Sequence, residues 1–325
     1  MSTSTGGSQR RTDSGRPVAA ATEDAEEQGR AHPTEAQSPE DEDLTPEAAF
    51  RRSVEEGQRK LERPLVPALA TGVVGGIDIG VGVLFLLVVQ EATGSDVLAG
   101  IAFSVGFLAL VLAQSELFTE GFLVPVGAVI ARRQGFGLLL RYWGLTIVGN
   151  LVGGWVVTGL IMVGYPDLHA TAIRLGTYFV DDVGVTAKGF ALAMLAGIAI
   201  TVMTQMQNGT ESVFGKVVAA LFIGSLLAGT KLFHSILDSL LLFAALHTGD
   251  TDFGYTTWAG LFAFSAVGNL VGGVGLVTLL RLLQVPHRVR VERQSPQQIS
   301  SPRSATGWDD GGEAEDAGRE GSSRG

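Results

Sequence analysis

Six long apolar segments dominate the hydrophobic pattern of the chain, and short polar or charged connections separate them. A helix that crosses the hydrocarbon core of a bilayer needs about 20 residues. The apolar segments cover roughly residues 66–90, 97–131, 138–164, 187–207, 214–247 and 256–284. The pattern therefore predicts an all-α membrane protein with six transmembrane helices.

The second and fifth apolar segments are longer than one span needs, and polar residues interrupt each of them near its middle. The interruptions read "QSELFTEG" at Gln114–Gly121 and "GTKLFHSILDS" at Gly229–Ser239. Backbone that leaves the helix inside a membrane is tolerated only where protein or a water-filled cavity satisfies its polar groups. We therefore expect the second and fifth helices to be broken, with their non-helical turns lining a site.

Two stretches of the first half recur in the second half, which indicates an internal repeat. "VGNLVGGWVVTGL" at Val148–Leu160 recurs as "VGNLVGGVGLVTL" at Val267–Leu279, 119 positions later. "ELFTE" at Glu116 corresponds in outline to "KLFHS" at Lys231, 115 positions later. With three spans per half, the copies would enter the membrane from opposite sides, as in the inverted repeats of many transport proteins. We predict two inverted three-helix repeats.

Charged residues are scarce between the two polar ends of the chain. Residues 64–285 contain only 20 Lys, Arg, Asp and Glu in 222 positions, whereas about a quarter of a soluble domain is charged. The chain has no cysteine, which excludes disulfides and thiolate metal sites. The net charge of −10 arises mainly near the N-terminus, so a lipid bilayer is an expected partner and nucleic acid is not.

These changes in composition predict four regions. Residues 1–46 form an acidic N-terminal tail and residues 286–325 a C-terminal tail, both predicted to be disordered because they are polar. Residues 47–63 have the pattern of an amphipathic helix, which either lies at the inner membrane surface or leads as a solvated helix into the first span. Residues 64–285 form the six-span domain.

Lysine and arginine are concentrated in alternate connections, and this asymmetry predicts the orientation of the chain. Basic residues flank the first and last spans and lie in the second-to-third and fourth-to-fifth connections. The other three connections hold only Arg174 and Lys188. Short basic connections remain in the cytoplasm. We therefore predict a multi-pass protein of the cytoplasmic membrane with both termini in the cytoplasm.

Six acidic, basic or histidine residues lie away from the ends of the apolar segments, and five of them lie in the two interrupted segments. The six are Asp78, Glu116, Glu120, Lys231, His234 and Asp238. An ionisable group at this depth is costly, so it faces a cavity, pairs with another group, or does both. We expect the five in the interrupted segments, together with Thr119 and Ser235, to line a substrate pathway. An anion would be attracted there by Lys231 and by the N-termini of two half-helices.

Three of these residues have a second, structural interpretation. Glu116 either accepts hydrogen bonds from freed loop N–H groups or contacts the substrate. Lys231 either binds the anion or pairs with Glu120 or Asp238. His234 either exchanges a proton, since histidine titrates near neutral pH, or is a buried and satisfied core residue.

Four further polar residues are expected to hold the interrupted segments. Thr119 and Ser235 are placed to cap the second half-helices. Asn150 and Asn269, in the recurring "GNLVGG", are expected to fix helix packing and loop position. The neighbouring glycines predict close helix contacts rather than a dinucleotide-binding turn, because no strand precedes them. No metal site, cofactor or catalytic residue is predicted.

The residues at the interruptions carry a resemblance to the formate/nitrite transporter family. The resemblance covers roughly residues 50–284, and its specific parts are "ELFT" in the second span, "HS" in the fifth, and "GNLVGG" in the third and sixth. It implies an aquaporin-like protomer in a homopentamer with one pore per protomer. Members of this family move small monovalent anions such as formate, nitrite, hydrosulfide or lactate, either by channel-like flow or together with a proton.

The resemblance also implies roles for individual residues. Thr119 matches the threonine of the family's mobile loop, and His234 matches its central histidine. The apolar constrictions on either side of that histidine would be formed by Phe103, Phe107, Leu117, Phe118 and Leu227. Such constrictions resist a bare anion but let a neutral acid pass. The implied mechanism has the anion take a proton at or near His234 and cross as the weak acid.

The sequence departs from the family pattern at the predicted pore. Glu120 and Gly121 follow "ELFT" where the family has glycine and asparagine. Phe233 stands where glutamate is frequent, Asp238 where the family has asparagine, and Lys231 where it has a small residue. These changes predict a divergent branch whose three central charges, at positions 120, 231 and 238, form a network.

Two other classes of function compete with an anion transporter. A channel for a neutral small solute such as water or glycerol would also use two broken helices, but neither interruption contains Asn-Pro-Ala. A membrane-embedded enzyme or a scaffold is disfavoured, because the chain has no His-Glu-x-x-His or Gly-x-Ser-x-Gly motif and only one histidine at an interruption. We therefore predict a transporter and not an enzyme.

Overall fold

The computed structural model describes residues 46–284, and all regular secondary structure in this part of the chain is helical. The predicted tails at 1–46 and 286–325 lie outside the described residues, apart from Pro46. The α-helices are α1 (Pro46–Glu62), α2 (Leu65–Thr93), α3 (Asp96–Ala113), α4 (Val124–Ile130), α5 (Phe136–Gly164), α6 (His169–Thr177), α7 (Ala187–Asn208), α8 (Val213–Gly229), α9 (Ser235–Thr248), α10 (Tyr255–Leu270) and α11 (Leu279–Gln284). Two 3-10 turns, Phe118–Phe122 and Pro166–Leu168, and two π-helical stretches, Tyr178–Val183 and Val271–Thr278, join or extend them.

Five helical segments are long and apolar enough to cross a membrane. They are α2, α3, α5, α7 and the Tyr255–Thr278 stretch that begins with α10. By contrast, α8 and α9 are apolar but contain only 17 and 14 residues. The prediction of an all-α membrane protein is confirmed at this level. Helix length and composition support five spans, whereas the sequence pattern predicts six.

Capping interactions within the local sequence define several of the helix ends. The Ser95 hydroxyl accepts a hydrogen bond from Leu98 N at the start of α3, and the Thr186 hydroxyl accepts one from Gly189 N at the start of α7. Gly94 ends α2 in the left-handed conformation, which glycine adopts without steric cost. These caps keep the connections between the long helices short.

Glycines allow two pairs of helices to pack at backbone distance. Gly76 of α2 lies against the backbone of Asn150 in α5, and Gly197 of α7 lies against the backbone of Asn269 in α10. A Cβ atom at either glycine would overlap the carbonyl oxygen of the asparagine. The same contact therefore occurs once in each half of the chain, which is where the recurring "GNLVGG" predicts it.

The helix α9 is short, apolar and deeply buried. Every residue of α9 from Ser235 to Ala245 is buried, and α9 packs against α5, α6 and α10. A helix that is apolar on all sides buries all of them when other helices surround it. The residues that precede α9 are thereby carried into the interior, where they meet the segment that follows α3.

Candidate functional site

Two non-helical connections lie inside the helical unit, and each contains a residue in the left-handed conformation. The first connection is residues 114–117, between α3 and the 3-10 turn that starts at Phe118. The second connection is residues 230–234, between α8 and α9. Gln114 has a φ of 54° and Lys231 a φ of 52°, a conformation that side chains other than glycine adopt at a steric cost.

Asn150 of α5 holds the first connection. Its Nδ2 donates to the carbonyl oxygens of Gly72 and Glu116, at 2.8 Å each, and its Oδ1 accepts from Phe118 N at 2.9 Å. The side chain is fully buried. One amide therefore satisfies three backbone groups in a region without access to water.

Asn269 of α10 holds the second connection in the same way. Its Nδ2 donates to the carbonyl oxygens of Ala193 and Phe233, at 2.8 and 2.9 Å, and its Oδ1 accepts from Ser235 N at 2.9 Å. This side chain is also fully buried. The two asparagines thus occupy equivalent places in the two halves.

The backbone contacts correct the alignment of the two connections. Phe233 makes the bond to its asparagine that Glu116 makes, and Ser235 makes the bond that Phe118 makes. Both pairs are 117 positions apart, as are the two left-handed residues, whereas "ELFTE" and "KLFHS" match at 115. The sequence alignment of "ELFTE" with "KLFHS" is therefore shifted by two residues from the structural alignment. Structural equivalence is defined here by the backbone hydrogen bonds and not by the identity of the side chains.

Thr119 and His234 meet in the interior of the protein. Thr119 Oγ1 lies 2.8 Å from His234 Nε2, and the two residues are 0% and 1% exposed. They come from different halves of the chain and from different structural positions after the two connections. The fold therefore brings together the two residues that the family resemblance singles out.

His234 is the N-cap of α9. Its Nδ1 accepts from Leu237 N at 3.1 Å, and its backbone N–H donates to Asp238 Oδ2 at 2.7 Å. Because Nδ1 is an acceptor, the neutral ring carries its proton on Nε2, and Nε2–H donates to Thr119 Oγ1. The hydroxyl proton of Thr119 is consequently free to be donated to another acceptor.

The predicted caps are wrong, because neither Thr119 nor Ser235 caps a helix. The 3-10 turn that contains Thr119 and the following α4 have no side-chain cap. The Ser235 hydroxyl is buried without a hydrogen-bond partner among the described residues. Ser235 is the first residue of α9, so the cap position before it belongs to His234.

Glu116 of the first connection is held by side chains from outside the interruption. Its carboxylate accepts from Lys60 Nζ at 3.3 Å, from Arg63 Nη1 at 3.2 Å and from the Tyr142 hydroxyl at 2.6 Å. The Glu116 side chain is only 3% exposed, so these donors compensate a charge that water barely reaches. The carboxylate pairs with cations, and the expected bonds from freed loop N–H groups are replaced by these contacts.

Lys60 lies among several carboxylates at the end of α1. Burial lowers the pKa of Lys60, but the negative charges of Glu116, Glu56 and Glu120 outweigh burial and raise that pKa above its ordinary value. Glu120 is itself buried, and its Oε1 has no hydrogen-bond partner within residues 46–284. At this end of the protein, the positive side chains of Lys60 and Arg63 are paired with Glu116, and the Oε1 atom of Glu120 has no donor within residues 46–284.

Lys231 pairs with Asp96, and the predicted charge network with Glu120 and Asp238 is wrong. Lys231 Nζ lies 2.7 Å from Asp96 Oδ2 and 4.9 Å from the centre of the Tyr178 ring. Asp96 begins α3, just beyond the end of α2, whereas Glu120 lies on the side of α1. The network fails because the fold places Glu120 at a different cavity and pairs Lys231 with Asp96, although Asp238 lines the same cavity as Lys231.

The five residues expected to form apolar constrictions are all buried. They are Phe103, Phe107, Leu117, Phe118 and Leu227. The Phe103 and Phe107 rings meet edge to face with centroids 5.7 Å apart. Leu227 lines a cavity beside the second connection. All five belong to one cluster of buried apolar side chains.

Two cavities lie near opposite ends of α2, which is 29 residues long. The larger, of about 500 Å³, is lined by residues that include Arg59, Lys60, Arg63, Glu116, Glu120 and Lys216. The smaller, of about 20 Å³, is lined by residues that include Gln90, Asp96, Leu227, Lys231 and Asp238. Thr119 is next in the chain to Glu120 of the larger cavity, and His234 is bonded to Asp238 of the smaller. The Thr119–His234 pair therefore joins the two linings.

Four partners of the predicted site residues are absent from the sequence-based prediction. They are Lys60, Arg63, Tyr142 and Asp96. Lys60 and Arg63 belong to the basic stretch of the predicted amphipathic helix. Their position just before the first span could have indicated that they pair with a carboxylate near the same membrane surface. Tyr142 and Asp96 reach their partners across 26 and 135 positions, and nothing in the local sequence indicates those contacts.

Comparison with known proteins finds relatives over most of the chain. The sequence model of the family described as Formate/nitrite transporter matches residues 47–283. The chain is similar to the inner membrane protein YfdC of Escherichia coli (strain K12), with 22% identity over 78% of this chain and 84% of that protein. It is also similar to the formate channel BtFdhC of Bacillus thuringiensis, with 25% identity over 71% of this chain and 92% of that protein.

A solved structure has a similar fold. It is described as a pentameric formate channel with formate bound, and it matches with a TM-score of 0.56. The match covers 68% of this chain and 97% of that one, at 20% sequence identity. At this identity the likeness concerns the arrangement of the helices.

Proposed function

The chain belongs to the formate/nitrite transporter family, and on that premise we propose that it conducts a small monovalent weak-acid anion, such as formate or nitrite, past the Thr119–His234 pair. The family consists of channels and transporters, so the chain is a transport protein and not an enzyme. The relatives that match it over most of its length are membrane proteins and formate channels.

The observation that carries the proposal is the buried Thr119–His234 contact between the two cavities. His234 Nε2–H donates to Thr119 Oγ1, which leaves the threonine hydroxyl as a donor. A small anion that arrives beside the pair is offered this hydroxyl in an environment of low polarity, where such a bond is strong. On the larger cavity, Lys60 and Arg63 supply positive charge near the entrance.

The hydrogen bonds of His234 constrain how a proton can be handled. A second ring proton would have to sit on Nδ1, where Leu237 N–H already points. Two donors cannot share that position, so a charged ring requires the cap of α9 to open. We therefore propose that His234 acts in its neutral form and that the anion acquires a proton without an imidazolium intermediate.

The proposed pathway passes between the apolar side chains on both sides of the pair. Leu117 and Phe118 would narrow it towards the larger cavity, and Phe103, Phe107 and Leu227 towards the smaller one. Such walls raise the cost for a bare anion and lower it for the neutral acid. A weak-acid anion fits both the hydrogen-bond donor at the centre and the apolar passage around it.

We also propose the membrane arrangement that the sequence predicts. The pairs α3 with the segment up to α4, and α8 with α9, would each form one interrupted span, which gives six spans over residues 64–285. The common asparagine contacts support two related halves, inserted in opposite directions. Basic α1 would lie at the inner surface of the cytoplasmic membrane, with both termini in the cytoplasm.

A homopentamer with one pore in each protomer is the assembly that we propose. The support is the fold likeness to a channel described as pentameric. Many large apolar side chains also remain exposed on the single chain, among them Leu160, Val163 and Phe222. Lipid and neighbouring protomers would cover these surfaces.

Anion flux into proteoliposomes tests the role of the central pair. Thr119→Val keeps the shape of the side chain but removes the hydroxyl, and we expect formate and nitrite flux to fall about tenfold, the equivalent of one lost hydrogen bond. Thr119→Ser retains the hydroxyl and should keep most of the flux. Equal flux in both variants would remove the hydroxyl from the mechanism.

His234→Asn provides the second arm, since asparagine can still cap α9 while the ring and its bond to Thr119 are lost. We expect reduced anion flux with an intact fold, and flux indistinguishable from wild type would remove His234. Osmotic swelling of the vesicles measures neutral solutes in the same preparation. Swelling by glycerol without any anion flux would favour the neutral-solute channel instead.

A further inference from the structure

The smaller cavity lies beside the second connection, on the far side of the Thr119–His234 pair from α1. Its volume of about 20 Å³ is enough for roughly one water molecule. Its lining combines apolar side chains of α2, α8, α9 and the α6 region with four polar ones. The four are Gln90, Asp96, Lys231 and Asp238.

Asp238 is the most deeply buried of the four, at 1% exposure. One carboxyl oxygen, Oδ2, accepts from the backbone N–H of His234 at 2.7 Å. The other oxygen, Oδ1, has no hydrogen-bond partner among the described residues. A buried polar atom in this state calls for a partner that comes and goes, such as water, a proton or a substrate.

The other polar groups around the cavity either form an ion pair with each other or carry no titratable proton. Lys231 and Asp96 neutralise each other at 2.7 Å. Gln90 carries no charge, and the side chains that the α6 region contributes, Leu175 and Phe179, are apolar.

His234, on the same helix end, uses Nδ1 to accept from Leu237 N and Nε2 to contact Thr119. Tyr178 touches the cavity only through its contact with Lys231. Of the two acidic groups in this lining, Asp96 is partly exposed and paired with Lys231, whereas Asp238 is buried with one oxygen that has no partner within residues 46–284.

We infer that Asp238, through Oδ1, exchanges a proton with the transported anion in the smaller cavity, which has to widen beyond the volume of one water molecule to admit that anion. The inference rests on the proposed transport of a weak acid. The O–H bond of the aspartic acid breaks, an O–H bond forms on the anion, and the neutral acid moves on while Asp238 is left as a carboxylate. A proton from the aqueous compartment on that side, relayed by water in the cavity, then returns to Oδ1, so that the net step moves one anion together with one proton. In the opposite direction of transport, the same steps run in reverse.

Two physical reasons favour this assignment. A carboxylate of the formate class and the side chain of aspartic acid are the same functional group, so the proton passes between them with little change in free energy. An ionised Asp238 repels an anion, whereas a protonated one donates to it, so the cavity accepts the anion only when the proton is in place.

The test uses Asp238→Asn in the full-length protein reconstituted into vesicles. Asparagine can still accept from His234 N–H but cannot transfer a proton. Formate uptake and the acidification of the vesicle interior are measured together over a range of external pH, with protein-free vesicles subtracted. Asp167→Asn, which changes an exposed carboxylate outside the cavity, is the matched control.

We expect wild type and Asp167→Asn to take up formate together with protons, faster at acidic pH. Asp238→Asn should lose at least about tenfold of this uptake, the equivalent of one buried polar interaction, and should show a flat pH profile. An Asp238→Asn protein with wild-type uptake and pH profile overturns the role of Asp238 alone. Absence of formate and nitrite flux in wild type overturns the proposed function, and the inference with it.

Infrared difference spectra of the wild-type protein give a second reading that does not depend on the variant folding. A carboxylic-acid C=O band should diminish when nitrite is added, since the proton leaves Asp238. If the variant folds, this change should be missing from its spectrum. A band that does not respond to nitrite in wild type contradicts the inference.

Discussion

The two connections share one backbone design and differ in what holds their side chains. Each has a left-handed residue, Gln114 or Lys231. Each connection, with the residue that follows it, forms two hydrogen bonds with a buried asparagine, whose third bond goes to a neighbouring helix. In the first connection, however, the key carboxylate of Glu116 is bound by Lys60 and Arg63 from α1 and its flank.

In the second connection, the key side chains are bound within their own helix end. His234 and Asp238 close a ring of hydrogen bonds around the first turn of α9. The comparison shows that the carboxylate of the first connection is held by α1 and its flank, whereas the cap of the second connection is formed by side chains at the start of α9. Movement at the site is therefore expected at the first connection, and the second serves as the fixed side.

Replacing either asparagine should lower the stability of the protein more than any other change proposed here, because it removes the backbone contacts that the two connections have in common. Asn269→Ala and Asn150→Ala each remove the partner of two buried backbone groups at a connection, and we expect the free energy of unfolding to fall by about 3 kcal/mol in each case. Thermal unfolding in detergent measures it. Asn208→Ala, which removes an amide nitrogen without a partner, should cost less than about 0.5 kcal/mol. If only one of the two asparagines mattered, the equivalence of the connections would be lost.

Glu116→Gln should have an intermediate effect that is confined to the first connection. It removes the charge that Lys60 and Arg63 bind, and we expect a loss of about 2 kcal/mol in the docking of α1. Hydrogen exchange should rise in residues 46–62 and stay unchanged in α9. Asp96→Asn, which changes a carboxylate at the second connection, should leave exchange in residues 46–62 unaltered.

The pH dependence of this docking follows from the raised pKa of Lys60. A group whose pKa is higher in the folded than in the unfolded protein stabilises the fold fully below the unfolded value and loses that effect as pH rises through the folded value. Wild-type α1 should therefore remain protected from exchange up to about pH 10. Loss of protection between about pH 7 and 9 would contradict the ion pair with Glu116.

The ion pair between Lys231 and Asp96 at the second connection should contribute least to the stability of the protein. Lys231 and Asp96 are 24% and 41% exposed in their side chains, and pairs of this kind contribute about 1 kcal/mol or less. A double-mutant cycle with Lys231→Met and Asp96→Asn should measure such a coupling, and the cycle of Lys231 with Glu120 should give about zero. A large coupling to Glu120 would restore the network that the structure rejects.

The amino-acid sequence by itself determined the class of protein and the positions of the two non-helical connections. Hydropathy is a sum over neighbouring residues, so the apolar segments and the polar residues at Gln114 and Lys231 are visible without a fold. The recurring asparagine motif likewise indicated two related halves, and its side chains lie at the two connections.

Only the tertiary structure decided which side chains meet. The contacts of Glu116 with α1, of Lys231 with Asp96 and of Thr119 with His234 join residues 53 to 135 positions apart, and no local pattern encodes such distances. The structure also shifted the alignment of the connections by two residues and moved the cap of α9 to His234. The physical reason is that pairing energy depends on positions in space, which the packing of the whole helical unit sets.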